Sequence, residues 1–190
     1  MSNHYTQPSR LARAGYRYVY DPLRAPYLRG FVRSLGLDGR ERAIDFGCGP
    51  GSEGAHLARA LARGGHLTCL DVSPSWLAEA RRRLRAFPNV DFMLGEAAEA
   101  GLPSGGYDLV VAHYVLHDVD PTVLPDTIGA LAGALRHGGR FVVVEPVGSH
   151  HGLTVVQLNA LMAKVELDEE SHAPVHPPFG SAIQVVYRRR

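Results

Sequence analysis

A chain of 190 residues and 20.6 kDa has the length of one domain, and 45% apolar with 21% charged residues is ordinary globular composition, which excludes disorder as the main state. Its 20 Lys and Arg against 19 Asp and Glu leave a net charge of +1, too little for the electrostatic footprint of a duplex nucleic-acid binder. The start, MSNHYTQPSRLARAGYRY, has no apolar run, no segment approaches the ~18 residues of a membrane span, and the 2 cysteines, Cys48 and Cys69, are too few for a disulfide framework. A cytoplasmic protein with no nucleic-acid partner and no membrane partner is the resulting expectation.

Short apolar runs alternate with helical stretches, the pattern of βαβ units around a mainly parallel sheet. A leading helix is predicted over Leu23 to Leu35, where Tyr27, Phe31 and Leu35 recur at intervals of four. Arg42 to Phe46 (RAIDF) is the first strand, and it runs into the turn Gly47-Cys48-Gly49-Pro50-Gly51. A helix follows from Ser52 to Arg63 and stops at Gly64-Gly65. His66 to Asp71 is the second strand. Ser73 then reads as an N-cap with Pro74 in the first helical turn, and the helix runs to Ala86.

Val90 to Leu94 and Tyr107 to Ala112 read as the third and fourth strands. The fourth is a continuous apolar run suited to a sheet covered on both faces. A helix over Pro121 to Arg136 is expected to end at Gly138-Gly139, before strand five, Arg140 to Glu145. A last helix spans Leu153 to Glu166, and Ala182 to Tyr187 is the one good strand of the tail. Ala173-Pro174-Val175-His176-Pro177-Pro178 should resist ladder pairing. The fold is therefore α/β, a doubly wound, mainly parallel, Rossmann-like sheet of six to seven strands with a shortened C-terminal edge. An unpaired edge there would favour a homodimer.

In open parallel sheets, ligands bind beyond the carboxyl ends of the strands. The loop after strand one carries Asp45, Phe46, Gly47, Cys48, Gly49 and Gly51, with glycines that let a ligand approach the backbone. Asp71 ends strand two, 24 residues after Gly47, a position that suits a carboxylate on ribose hydroxyls. Glu96-Ala97 follow strand three. Singly, each has a bland reading: a turn, a helix cap, a solvated acid. Their order along consecutive βα units describes a nucleoside-containing ligand. The dinucleotide pattern G-x-G-x-x-G fails, because its third glycine would fall at Ser52.

The string AIDFGCGPGSEGAHLA resembles the first motif of class I S-adenosylmethionine-dependent methyltransferases. LTCLDVSPSWLAEARRRL, VDFMLGEAAEAGLPSGGYDLVVAHYVLHDV and ALRHGGRFVVVEPV are similar to the family's second-strand, third-to-fourth-strand and fifth-strand regions, in order, over about Arg42 to Val147. The resemblance implies S-adenosyl-L-methionine as cofactor, with S-adenosyl-L-homocysteine as product, and a small-molecule acceptor. It implies that Asp45 and the Gly47–Gly51 turn hold the methionine end and that Asp71 grips the ribose. Val72 would pack on the adenine, Glu96-Ala97 would bond its amino edge, and His113 would border the methionine moiety. Family members often carry Asp at the Glu96 position. On this reading residues 1–190 are a single domain: a leading helical lid (1–40), a cofactor-binding core (41–147) and a C-terminal helix with an edge strand (148–190).

Tyr16, Tyr18 and Tyr20 are candidates to close over the cofactor. A proton must leave when the acceptor is a hydroxyl, and a His is suited to take it near neutral pH. His117, four residues after His113, is the first choice, weighed against a structural role beside the cofactor. Glu145, at the end of strand five, is the second catalytic candidate, weighed against helix capping. His150-His151, His172 and His176 enrich the C-terminal half in histidine, but the acidic cluster of metal-dependent relatives is missing and no metal is expected. The Arg188-Arg189-Arg190 tail reads as a solvated end, weighed against phosphate binding. No Asn/Asp-Pro-Pro-Tyr motif of nucleobase methylation follows strand four, where Ala112-His113-Tyr114-Val115 stands. Two alternatives remain: a cyclase- or decarboxylase-type enzyme that binds the cofactor without methylating, and a non-catalytic partner module of the same fold.

Overall fold

The computed structural model describes residue 9, residues 15–147 and residues 152–190. His150 and His151 lie outside the described residues. Among the described residues, three strands are ordered β3-β2-β1 in one compact unit, Met1–Gly95, and four are ordered β4-β5-β7-β6 in a second, Glu96–Arg190.

In the first unit a π-helical stretch, Tyr16–Tyr20, leads into α1 (Asp21–Ser34), which buries Leu28, Phe31 and Val32. β1 (Arg42–Phe46) pairs in parallel with β2 (His66–Asp71), and β2 pairs in parallel with β3 (Val90–Leu94). Ala43, Ile44, Leu67, Cys69 and Leu70 are fully buried, as a parallel sheet covered on both faces requires. The covering helices are α2 (Gly54–Ala60) and α3 (Pro74–Leu84). α2 is shorter than the periodicity predicts, because its last carbonyl bond is made at Leu61. The α3 start matches its sequence signals. Ser73 Oγ accepts from Trp76 N at 3.3 Å, a cap that contributes about 1 kcal/mol, and Leu77, Ala80 and Leu84 form the buried face.

In the second unit β4 (Tyr107–His113) pairs in parallel with β5 (Leu135–Pro146). α4 (Leu124–Ala134) ends four residues before Gly138, where the predicted Gly-Gly stop begins, and β5 begins at once. The ladder jumps from Tyr107↔Leu135 to Leu109↔Arg140, so Gly138-Gly139 form a bulge inside the strand. α5 (Val155–Met162) starts at Thr154, whose side chain and Gln157 make a reciprocal capping box. A 3-10 turn, Ala163–Val165, follows, and Glu166 in the left-handed region (φ 60°) ends the helical segment.

The sequence suggests a degenerate penultimate strand, and here the structure corrects it. β6 (Leu167–Val175) is continuous and pairs antiparallel with β7 (Ala182–Arg189), Pro174 lying opposite Ile183. A proline fits because β6 is the last strand of the sheet and needs no donor on its outer side. A bulge at Glu169/Ser171 and exposed acids along β6 blunt this edge. The Arg tail is also corrected from solvated to bonded. Arg189 donates to the carbonyls of Ala132, Gly133 and Leu135 at the end of α4, and Arg188 pairs with Glu170. Among the described residues, no helix is long and apolar enough to cross a membrane.

Candidate functional site

β1 delivers Asp45 and Phe46 into the Gly-rich turn. Gly47 N and Cys48 N both donate to Leu70 O on β2 (2.8 and 3.2 Å), and Gly51 N donates to Cys48 O at 3.0 Å, which closes the turn. Gly49 (φ +51°) and Gly51 (φ +75°) hold left-handed backbone that other residues adopt only with strain. They are glycine for different further reasons. A Cβ on Gly51 would press on Ala80 and Leu84 at 3.2 Å, whereas nothing lies within 4 Å of one on Gly49. The space at Gly49 is open to a ligand.

Asp71 pins this turn. Its Oδ2 accepts from Gly49 N and its Oδ1 from Ser73 N, each at 2.8 Å. One carboxylate therefore links the loop after β1 to the N-cap of α3. Burial raises the Asp71 pKa, while the two backbone donors oppose that rise. Gly95 N donates to Asp71 O at 3.1 Å, so the end of β3 is tied to the same point.

Asp45 stands differently. It is buried, and its Oδ2 has no hydrogen-bond partner among the described residues. Burial pushes its carboxyl well above the usual range, and the nearby charges of Glu53 and Asp71 push in the same direction. A Cβ on Gly54 would come within 3.2 Å of this oxygen, so the first residue of α2 must be small. A lone buried carboxylate oxygen beside an open turn lacks one thing, a cationic or N–H donor.

The second unit builds its own polar cluster. β5 carries Glu145, fully buried, and the 3-10 turn Leu116–Asp118 after β4 carries His117. His117 Nδ1 donates to Glu145 Oε2 at 2.8 Å, and Leu116 N donates to Glu145 Oε1 at 3.2 Å. Glu145 thus orients the imidazole through Nδ1, and Nε2 lies 3.7 Å from Asp118 Oδ2. Burial alone would lower the His117 pKa. The hydrogen bond and charge of Glu145, with the charge of Asp118, outweigh it and raise the value. Tyr114 stands at φ 57°, a strained conformation for a bulky residue, with its ring centroid 5.2 Å from His113 and 6.5 Å from His117.

The structure therefore gathers Asp45, Phe46, Gly47, Cys48, Gly49, Gly51, Asp71 and Val72 at the carboxyl ends of β1 and β2. Glu96 and the buried Ala97 open the second unit immediately after Gly95. His113 ends β4. Tyr18 is largely exposed. Sequence reasoning missed Glu53, Tyr114 and Asp118. Glu53 is two residues past the Gly-rich run and Asp118 adjoins His117, but no sequence signal marks the Tyr114 backbone. Among the described residues, no group of three or more His, Cys, Asp or Glu side chains is arranged to hold a metal.

Comparison with known proteins identifies the family and the fold. The chain is 34% identical over 112 residues to aklanonic acid methyltransferase from Streptomyces sp. (strain C5), covering 56% of this chain and 49% of that protein. It spans about half the length, or less, of the curated relatives it matches. The fold matches 1,6-didemethyltoxoflavin-N1-methyltransferase from Burkholderia thailandensis with TM-score 0.72 at 18% identity, over 93% of this chain and 84% of the other. The SpnF cyclase structure also matches with TM-score 0.72 at 18% identity, over 86% and 80%. Residues 43–139, half of the chain, match the methyltransferase domain family, and the chain belongs to that family, the class I S-adenosylmethionine-dependent methyltransferases.

Proposed function

We propose that this chain is an S-adenosylmethionine-dependent methyltransferase acting on a small molecule. One observation carries the cofactor assignment: the buried, unpartnered Asp45 Oδ2 beside the open Gly49 turn. The amino group of the cofactor's methionine end is the donor that oxygen lacks. Asp71, already held by two backbone donors, keeps further lone pairs for the ribose hydroxyls. By the family resemblance, Val72 would support the adenine, Glu96-Ala97 would meet its amino edge, and His113 would border the methionine end. Bound there, S-adenosylmethionine supplies an electrophilic methyl group and departs as the neutral thioether S-adenosylhomocysteine.

The chain then has to align an acceptor and accept its proton. His117 is the base, taking that proton on Nε2 while Glu145 fixes the ring through Nδ1. The raised His117 pKa places the working range slightly alkaline of an ordinary histidine. Near-neutral charge and the names of two curated relatives, aklanonic acid methyltransferase and demethylmenaquinone methyltransferase, favour a small acceptor over a nucleic acid. The free, buried Cys48 and Cys69 suit a reducing, cytoplasmic setting.

The test is calorimetric titration with S-adenosylmethionine and S-adenosylhomocysteine, then incubation with hydroxylated aromatic acids and quinols read by product mass. Saturable binding and a gain of one methylene unit are expected. Failure of the folded protein to bind either nucleoside overturns the reading. Binding followed by a rearranged product of unchanged mass makes it a cofactor-assisted cyclase.

A further inference from the structure

Outside the cofactor turn, the first unit holds a cavity of about 450 Å³ against α1 and α2. That volume lies in the range of small-molecule sites. Arg29 and Arg33 reach it from α1, and His56 and Arg59 from α2, over apolar ground that includes Val32 and Leu37. No Asp or Glu is among the residues lining it.

The charge arrangement is unusual for a structural feature. Arg29 and Arg33 are four apart on one helix face, where like charges repel. Among the described residues neither guanidinium has a hydrogen-bond or ion-pair partner. Arg59 gives one nitrogen to Ala55 O (2.8 Å) and stacks on Phe87, which fixes its guanidinium and leaves its other donors open. The His56 pKa is lowered by burial and then by the charges of Arg59 and Arg29, with Glu53 opposing. Arginines near a helix end often do no more than complement its dipole. Here guanidiniums from two separate helices converge on one cavity that also has an apolar floor.

We infer that the cavity lined by Arg29, Arg33, His56 and Arg59 is a second ligand site, which binds a phosphate group carried by a small soluble molecule. Guanidinium pairs match phosphate oxygens bidentately, and Val32 and Leu37 accept the apolar body of a phosphate ester. The site is separate from the cofactor turn. Its lining comes from the later part of α1, from Gly36-Leu37 and from His56, Arg59 and Ala60 along α2, and includes no residue of the Gly47–Gly51 turn.

Inorganic pyrophosphate is the probe, titrated into the full chain at low salt by calorimetry and by amide chemical shifts. Saturable binding is expected, with shifts confined to α1 and α2, weakening as salt rises. Saturating S-adenosylhomocysteine should leave it unchanged. The Arg29→Gln/Arg33→Gln variant should lose roughly tenfold or more in affinity. Both positions are exposed, so folding should survive, and the single variant Arg29→Gln gives an intermediate loss. Arg85→Gln, on an exposed arginine outside the cavity, should bind as wild type. Absence of pyrophosphate binding, or binding that survives the double substitution, overturns the inference. So does binding only to vesicles of phosphatidylcholine and phosphatidylglycerol, which would make the cavity a lipid-headgroup site.

Discussion

Replacing Asp45 with Asn should make the ligand-free protein more stable and a poorer cofactor binder. Asp45 is buried, its Oδ2 has no partner, and the charges of Glu53 and Asp71 oppose its ionisation. Ionised, that unpartnered oxygen carries a desolvation penalty about 1–3 kcal/mol beyond that of a neutral amide in the same place. At ~2–4 °C per kcal/mol for a domain of this size, relieving it raises the melting temperature by roughly 3–10 °C near neutral pH. The pH dependence follows from linkage. The folded-state pKa of Asp45 lies above its unfolded value, so the native state holds the proton more tightly. Stability is then greatest below the ordinary carboxyl range and declines as pH rises towards the raised value. Asn cannot ionise, so the variant should lose this decline. Its amide also carries no charge for the cofactor's ammonium, and S-adenosylhomocysteine affinity should fall about ten- to a hundredfold. Thermal melts across the acidic-to-neutral range, with calorimetric titration at neutral pH, read both effects. A variant that melts lower than wild type at neutral pH, or binds equally well, refutes the reasoning.

Other substitutions separate positioning from chemistry. His117→Ala should reduce turnover about 10²–10⁴-fold and leave S-adenosylhomocysteine affinity unchanged; an unaltered rate removes His117 as the base. Glu145→Gln removes the charge that raises the His117 pKa, so the acidic limb of the pH–rate profile and the His117 titration followed by NMR should both move to lower pH. The same raised pKa means that the pair adds stability below the ordinary histidine value and loses it as pH climbs through the folded one, a slope Glu145→Gln should flatten. Asp71→Ala strands the Gly49 and Ser73 amides, so it should cost about 2–4 kcal/mol of stability as well as binding; Asp71→Asn, which keeps one acceptor, should cost about half as much. Denaturant melts that found Asp71→Ala as stable as wild type would disprove the pinning of the turn. Gly49→Ala should lose cofactor binding for only about 1 kcal/mol of stability, because its methyl enters open space. Gly65→Ala should cost about 2–3 kcal/mol, because its Cβ would lie 2.6 Å from Glu41 O and 2.9 Å from Gly39 O.

Much of this protein is determined locally and so was open to sequence reading. Ile44, Leu67 and Leu70 sit in short apolar runs that can only be strands buried on both faces. Ser73-Pro74 starts a helix by its own hydrogen-bonding chemistry. Asp45 and Asp71 end consecutive parallel strands at a spacing set by one βαβ unit, so their shared location followed from chain order. β6 was hidden because an edge strand has no core to face. LDEESHAPV shows no alternation, and its pairing is decided by β7. The α4–β5 junction was misplaced because the ladder with β4, not the Gly-Gly pair, sets where the strand begins. The site's electrostatics were hidden for a related reason. Glu145 and His117 are 28 residues apart, and only folding puts a buried carboxylate on the imidazole. The missing partner of Asp45 is a property of everything packed around it. Residue type and order establish which groups the chain carries to the ends of its strands. Burial, hydrogen-bond satisfaction and charge state arise from neighbours distant in sequence, and the tertiary structure alone decides them.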